Sequence, residues 1–159
     1  MPTENPTRLR RARSDDAAAI RQLLHDLGYE LSLEETSRRF AIVSKAAGHS
    51  VFIAECDGEA AGLLHVYARA ALEKPPEAVV EALVVGARFR RRGVGRDLMA
   101  AAEEWASRRG YDSLSLYSGV RREDAHAFYR SLGYRLVGTS HSFRRALAPG
   151  PAAGERAQP

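Results

Sequence analysis

Cysteine is almost absent from this sequence: Cys56 is the only one, so no internal disulfide can form. Long apolar runs are missing too, since none approaches the ~20 residues of a membrane-spanning helix. The N-terminal residues also lack the apolar core of a secretory signal. These absences predict a protein of the reducing cytoplasm that has no membrane partner. Cys56 itself lies in an apolar run, where a buried, inert thiol is expected rather than a nucleophile.

Lysine is also scarce, because the 24 basic residues include only Lys45 and Lys74 and the rest are arginines. The net charge of +4 favours anionic ligands or nucleic acid. A source genome whose base composition favours arginine codons would explain the same excess of arginine. Aromatic residues do not interleave the arginines of residues 88–96, as a stacking platform requires, so no nucleic acid partner is predicted. No metal is predicted either, because four histidines lack the spacing of metal ligands: His25, His49, His65 and His141.

A glycine-rich loop stands between an apolar run at residues 78–86 and an amphipathic helical pattern further along the chain. A helix N-terminus offers unpaired N–H groups and the positive end of a dipole, which suit an anion. Glycines let a phosphate approach, and arginines add planar donors. The loop matches neither a P-loop nor a dinucleotide fingerprint, whose third glycine would fall at Leu98, and an ordinary helix-start turn remains the alternative. Its residues are Arg90, Arg91, Arg92, Gly93, Val94, Gly95 and Arg96.

Periodicity and turn signals predict an α/β (α+β) domain with the order β-α-α-β-β-β-α-β-α-β over residues 8–147. The Asp57-Gly58 pair predicts a tight hairpin, and hairpins give the sheet an antiparallel portion. The two late strand–helix units give it a parallel portion. One or two closing strands are predicted in residues 134–147, for a mixed central sheet of about six to seven strands with about four helices. Residues 1–7 and 148–159 are predicted to be disordered tails of this single domain.

Three segments together carry a family resemblance: the apolar strand at residues 80–85, the spacing Arg-x-x-Gly-x-Gly that begins at Arg90, and the motif Ala-x-x-Phe-Tyr-x-x-x-Gly-Tyr that begins at Ala125. With the element order, they resemble the GNAT superfamily of N-acetyltransferases over nearly the whole chain. The resemblance implies an acyltransferase that uses acetyl-CoA as co-substrate, with the pyrophosphate at the loop of residues 90–96. It also implies that main-chain groups of Leu83, Val84 and Val85 pair with the pantetheine arm.

The reaction that the resemblance implies needs a base, because an amine with a pKa of ~10.4 is mostly protonated at neutral pH. Glu81 is the only carboxylate within the apolar strand, so it is the candidate base; a solvent-facing residue or a salt bridge is the alternative. Tyr129 matches the family tyrosine that approaches the CoA sulfur and can protonate the thiolate, with a core aromatic as the alternative. The family's asparagine before this motif is replaced by Arg122, which is interpreted as a contact to a CoA phosphate.

The acceptor amine stays open at this stage. Small polyamines, amino acids, antibiotics and protein amines are all compatible with the loops expected to select it, at residues 27–33, 70–77 and 134–143. A domain that binds acetyl-CoA without turnover, as a sensor or interaction module, is the alternative from another functional class. The oligomeric state is open as well, and a homodimer is one expected form because dimers are common in the family.

Overall fold

The structure, a computed structural model, describes residues 7–148, so the predicted disordered tails lie outside the described residues except for Thr7 and Ala148. The chain divides into two compact units, one ending at Ser118 and the other beginning at Gly119. The prediction of a single domain over residues 8–147 stays a prediction.

The first unit contains five strands and three α-helices. The strands are β1 (Arg8–Arg11), β2 (His49–Cys56), β3 (Glu59–Arg69), β4 (Glu77–Val85) and β5 (Leu114–Leu116); the helices are α1 (Ala17–Asp26), α2 (Leu33–Lys45) and α3 (Val94–Arg108). Short 3₁₀ turns at Ser14–Asp16 and Ala87–Phe89 precede α1 and follow β4. The second unit contains α4 (Glu123–Ser131). The predicted element order is therefore confirmed from the first strand to the last helix.

The sheet has the order β1-β2-β3-β4-β5, with antiparallel pairing from β1 to β4 and parallel pairing between β4 and β5. Both central residues of the β2–β3 turn have positive φ, 54° at Asp57 and 79° at Gly58. This is the backbone that a tight hairpin needs to match the twist of its strands. The predicted hairpin and the predicted mixed sheet are both confirmed.

The predicted closing strands are wrong: the described part of residues 134–147 forms no strand, and the sheet has five strands rather than six to seven. Apolar residues such as Val137 and Phe143 suit a strand, but each of these is 93% exposed. A strand also needs a neighbour to satisfy its N–H and C=O groups. Here the residues have strand propensity without such a neighbour.

Helices cover both faces of the sheet. On one face, Ile20 and Leu23 of α1 pack with Ile53, Leu63 and Val84 of the central strands. Burying each such aliphatic side chain contributes about 1.5–3 kcal/mol before entropy is counted. On the other face, the apolar side of α3 is buried, and its Trp105 Nε1 donates to Ser50 Oγ at 2.7 Å. The two buried layers fix β4 between its neighbours.

Candidate active site

A β-bulge in β4 sets Glu81 apart from its neighbours. Val66 of β3 pairs with Val80, the preceding residue His65 pairs with Ala82, and Glu81 between them has no partner. A bulge leaves one residue outside the ladder and locally re-aims its side chain. Glu81 is exposed, whereas the four preceding residues of β4 are buried. The predicted base is therefore a carboxylate presented to solvent from an otherwise buried strand.

The edge of β4 that follows Glu81 has no strand beside it. β5 pairs in parallel only with Ala78, Val79 and Val80, and it is the last strand of the sheet that the described residues form. The predicted pantetheine-binding residues Leu83, Val84 and Val85 pair with β3 on their other side. Main-chain groups on the edge away from β3 are therefore available to a ligand that binds as an added strand does.

α3 begins at the glycine loop in a form open to an anion. Gly93 takes a left-handed backbone (φ 84°), which glycine adopts without strain, and no side chain caps the helix. The first backbone bond at this end runs from Asp97 N to Gly93 O, at 3.1 Å. The N–H groups of the first turn, which includes Val94 and Gly95, precede that bond and have no acceptor within the helix. The geometry is that of a phosphate-binding helix start.

The loop arginines differ in their surroundings. Arg92 forms an ion pair with Asp57 at 3.0 Å and lies over the ring of Phe89, 5.6 Å from its centroid. The other three are exposed, and no ion pair between them and another described residue is formed: they are Arg90, Arg91 and Arg96. Arg91 also has positive φ, 64°. Of the four arginines predicted to meet phosphates, three keep their charge unpaired and Arg92 shares its charge with Asp57.

Gly62 in β3 lets the start of α3 come close to β4. A Cβ at this position would lie 2.8 Å from Leu98 Cδ1, 2.9 Å from the carbonyl oxygen of Val84 and 3.0 Å from Val94 Cγ1. Real side chains do not tolerate such distances, so the absence of a side chain here is a packing requirement. The close approach brings the start of α3 against β3 and β4 at Gly62 and Val84.

Three aromatic side chains form a cluster on β2 and β3, here named the His–Tyr cluster: His49, His65 and Tyr67. His49 Nδ1 and His65 Nε2 are 2.9 Å apart, and the rings of His49 and Tyr67 stack with centroids 5.0 Å apart at 11°. Burial and the neighbouring His49 lower the pKa of His65 to about 4, so this ring is neutral near pH 7. Burial and the charge of Glu81 raise the pKa of Tyr67, while Arg69 opposes them.

Sequence reasoning missed this cluster because it considered histidines only as metal ligands. The available signal was the Asp57-Gly58 hairpin, which pairs residues at equal distances on either side of the turn across β2 and β3. Counting outward from that turn places His49 opposite Val66, between His65 and Tyr67. The observed register, His49 opposite Tyr67, includes a bulge near Glu55 that shifts the pairing by one residue.

An ion cluster anchors the beginning of β4. Glu77 is buried and accepts hydrogen bonds from Arg69 and from Lys74, the latter at 2.7 Å. Burial alone would raise the pKa of Glu77, but the bonds from Lys74 and Arg69 outweigh it and lower that pKa to about 2. Arg69 also donates to the hydroxyl of Tyr117 at 2.6 Å. These contacts tie both ends of the predicted acceptor loop, residues 70–77, to the sheet.

Tyr129 and Arg122, the other predicted site residues, lie in the second unit. Tyr129 is half-buried in α4 and lies edge-on to the rings of Phe128 and Tyr134, with centroids 5.3 Å and 6.2 Å away. Burial raises the pKa of Tyr129, and the positive charge of Arg122 opposes this, so the phenol is protonated near pH 7. Arg122 is exposed at the N-cap of α4, a position from which its side chain meets solvent.

Residues 7–148 contain no group of three or more metal-binding side chains. Among the helices in the same range, none is long and apolar enough to cross a membrane.

The sheet, its bulged strand and the glycine-started helix define a class of known proteins. An aminoglycoside N-acetyltransferase, AAC(6')-Iy, solved in complex with CoA, shares the fold with a TM-score of 0.81 at 19% identity, over 92% of this chain and 99% of that one. The chain therefore has an acetyltransferase fold.

Sequence comparison places the chain within that class. The profile described as the Acetyltransferase (GNAT) family matches residues 17–134. An aminoglycoside N(6')-acetyltransferase type 1 from Stenotrophomonas maltophilia is 33% identical over 156 residues, 94% of this chain and 99% of the relative. A protein of Bacillus subtilis named as an uncharacterized N-acetyltransferase, YhdJ, is 27% identical over 126 residues, 79% of this chain and 87% of the relative. The chain belongs to the GNAT family of acetyltransferases and is an acyltransferase enzyme.

Proposed function

We propose that this enzyme transfers the acetyl group of acetyl-CoA to a primary amine, with Glu81 as the base. The observation that carries the proposal is the bulge in β4, which presents one carboxylate at the start of an open strand edge. The glycine-started N-terminus of α3 packs near the same part of β4, since Val94 and the carbonyl oxygen of Val84 both lie within 3.0 Å of the place that a Gly62 side chain would take. A base, a site for an extended thioester arm and a site for its phosphates thus belong to one compact unit.

Acetyl-CoA is expected to bind along β4 and at α3. The main-chain groups of Leu83, Val84 and Val85 pair with the pantetheine amides in the manner of an added strand. The first-turn N–H groups at Gly93, Val94 and Gly95 then receive the pyrophosphate. The exposed arginines Arg90, Arg91 and Arg96 add charge-assisted hydrogen bonds, and Arg92 contributes a charge shared with Asp57.

Glu81 removes the proton that prevents the amine from attacking. The ammonium group of the acceptor gives one proton to the carboxylate, directly or through a water molecule, and the freed nitrogen attacks the thioester carbon. A main-chain N–H of the open β4 edge stabilises the oxyanion that forms on the carbonyl oxygen. Collapse of this intermediate breaks the C–S bond while the nitrogen gives its second proton to solvent, and the products are the neutral acetylated amine and a thiolate.

Tyr129 supplies the proton that the departing CoA sulfur needs. A protonated phenol can donate to a thiolate, whose conjugate acid has a pKa of ~8.5 in a free thiol. Burial in α4 keeps this phenol protonated. Arg122, at the exposed start of the same helix, serves as a contact to a CoA phosphate in place of the asparagine usual in the family.

The acceptor that we propose first is the 6'-amine of an aminoglycoside. The support is the Stenotrophomonas maltophilia relative, which bears that activity in its name and matches this chain over nearly its full length. A panel of aminoglycosides, polyamines, amino acids and peptide amines, with free CoA thiol as the readout, tests this choice. Faster thiol release with aminoglycosides than with every other amine supports it, and equal or slower release rejects it.

Membership of the acetyltransferase family disfavours the alternative that the sequence left open, a domain that binds acetyl-CoA without turnover. That alternative predicts saturable acetyl-CoA binding without thiol release for any amine in the panel. A homodimer, a cytoplasmic location and the lack of a nucleic acid partner stay predictions from the sequence.

A further inference from the structure

The β2–β3 hairpin carries two carboxylates that the proposed acetyl transfer leaves without a role, Asp57 and Glu59, here named the acidic hairpin. Asp57 Oδ2 accepts a hydrogen bond from Arg92 at 3.0 Å. Both carboxylate oxygens of Glu59 accept from Arg88, at 3.0 Å and 3.1 Å. The two arginines stand four residues apart in the sequence. The acidic hairpin therefore holds both ends of residues 88–92, the segment that leads into α3.

Arg88 and Arg92 also share one aromatic ring. Their guanidinium carbons lie 5.4 Å and 5.6 Å from the centroid of the Phe89 ring, where a cation is attracted to the ring electrons. Phe89 is itself buried and packs closely on Gly86, since a Cβ at Gly86 would lie 3.3 Å from Phe89 Cδ2. Each arginine thus has two attachments, a carboxylate and a buried ring, and is held more firmly than an exposed ion pair alone would hold it.

Between these two arginines the backbone adopts an uncommon conformation. Arg91 has a φ of 64°, a left-handed value that is costly for a residue with a Cβ. Within residues 7–148, Asp57 is the only other residue besides glycine with a positive φ, and Asp57 pairs with the neighbour of Arg91. A costly conformation persists only where the surrounding structure enforces it. The anchored arginines on either side of Arg91 provide that enforcement.

The conformation of residues 88–92 sets the direction in which the chain enters α3. Gly93 follows at once, and the N–H groups of the next turn are the proposed phosphate donors. Donors that are already in place lose less conformational entropy when the ligand binds. The two carboxylates of the acidic hairpin are more than half exposed, so solvent and salt screen their repulsion of a phosphate. The gain from ordering the segment therefore exceeds the loss from nearby negative charge.

We propose that the acidic hairpin positions the glycine loop for the pyrophosphate of acetyl-CoA and acts through Arg88 and Arg92. Asp57, Glu59 and Arg88 are positioning residues: they set the affinity for acetyl-CoA and leave the chemical step unchanged. The inference rests on the proposed binding of acetyl-CoA at this loop.

The Arg88–Glu59 pair allows a test in which charge and position predict different results. Glu59→Gln removes an anion and Arg88→Gln removes a cation, so charge alone predicts tighter binding of acetyl-CoA in the first variant and weaker binding in the second. Positioning predicts that the dissociation constant of acetyl-CoA rises about 2- to 5-fold in each, because either change breaks the same ion pair. For the same reason the double variant should match Arg88→Gln rather than add both effects. In all three, kcat at saturating acetyl-CoA should equal that of the wild type.

Asp57→Asn tests the second ion pair, and it should also raise the dissociation constant about 2- to 5-fold. Asparagine accepts a positive φ as readily as aspartate, so the turn is kept while the charge is lost. Glu104→Gln is the matched control, because it breaks an exposed ion pair with Arg108 near the other end of α3. It should leave the affinity for acetyl-CoA unchanged.

Calorimetric titration of the folded variants with acetyl-CoA measures these affinities, and kcat is measured beside them. Glu59→Gln that binds acetyl-CoA as tightly as the wild type or more tightly overturns the positioning role, and so does a double variant in which the two losses add. Wild-type protein that binds acetyl-CoA but acetylates no amine overturns the proposed function, while the affinities still decide the role of the acidic hairpin. Wild-type protein that does not bind acetyl-CoA overturns both.

Discussion

Glu81 owes its proposed role to one extra residue in β4. Without the bulge, alternation along the strand would continue unbroken from Val80 to Ala82 and no residue would stand outside the ladder. The carboxylate is exposed, and the neighbouring phenol of Tyr67 responds to its charge. A single local irregularity thus separates one acid from an apolar strand and gives it a distinct environment.

Tyr129→Phe tests the proposed donor, because it removes one oxygen and keeps the ring that packs edge-on to Phe128 and Tyr134. We expect kcat to fall about 10-fold or more, since thiolate departure loses its proton source. Acetyl-CoA binding should change little, because the thioester needs no proton there. Single-turnover acetyl transfer and a melting curve for the same variant distinguish a proton donor from a packing residue. Full-rate transfer with a lowered melting temperature would leave Tyr129 as a packing residue only.

At the scale of single elements, the start of α3 carries the proposed phosphate site. Its N-terminus is uncapped, and its approach to β4 depends on Gly62, whose missing side chain admits Val94 and Leu98. The first turn contains Gly95, where a side chain would stand in the path of a bound pyrophosphate. Acetyl-CoA binding at this end of α3 should therefore be sensitive to the size of the side chain at position 95.

Gly95→Val should abolish measurable acetyl-CoA binding, or weaken it by at least about 10-fold, while the protein stays folded. Ala100→Val is the matched control, since Ala100 is exposed on the same helix and the new side chain has the same size. Calorimetric titration of both variants with acetyl-CoA gives the comparison. If folded Gly95→Val binds as tightly as the wild type, the glycine loop is not the pyrophosphate site.

Turns and helix caps could be predicted from the sequence, whereas the bulge and the number of strands could not. The Asp57-Gly58 turn and the capping residue Ser32, whose Oγ accepts from Glu35 N at 3.1 Å, were predictable because their conformations depend on nearby residues. The bulge at Glu81 was not, because it depends on how β4 meets β3, a strand that begins 22 positions earlier. The prediction of a strand after Tyr134 is wrong for a similar reason, because its residues have strand propensity but no neighbouring strand to pair with.

At the scale of the whole molecule, two buried carboxylates make stability depend on pH. Hydrogen bonds from Arg10, at 2.7 Å and 2.8 Å, lower the pKa of Asp16 despite its burial. Hydrogen bonds from Lys74 and Arg69 lower the pKa of Glu77 to about 2. Because both folded pKa values lie below the unfolded ones, the stabilisation is complete above about pH 5 and is lost as the pH falls towards 2.

We therefore expect the melting temperature to fall by about 5–10 °C between pH 5 and pH 3, because Glu77 loses on the order of 2 kcal/mol over this range and Asp16 adds a loss of the same sign. Asp16→Asn should melt lower at pH 7 and show a shallower fall with acid, since one titrating group is gone. Asp112→Asn, at an exposed position, serves as control and should follow the wild type. A melting temperature that is flat between pH 5 and pH 3 would contradict this assignment.

The most direct test of the account is the pH dependence of acetyl transfer by the wild type and by Glu81→Gln, followed by mass analysis of the acetylated amine. The account predicts that the wild type forms the acetylated product only when an amine is present. In Glu81→Gln, kcat/KM should fall by about 100-fold, most severely at lower pH, with acetyl-CoA affinity nearly unchanged. Wild-type binding of acetyl-CoA without any acetylated product, or a variant with the wild-type pH–rate profile, would contradict the account.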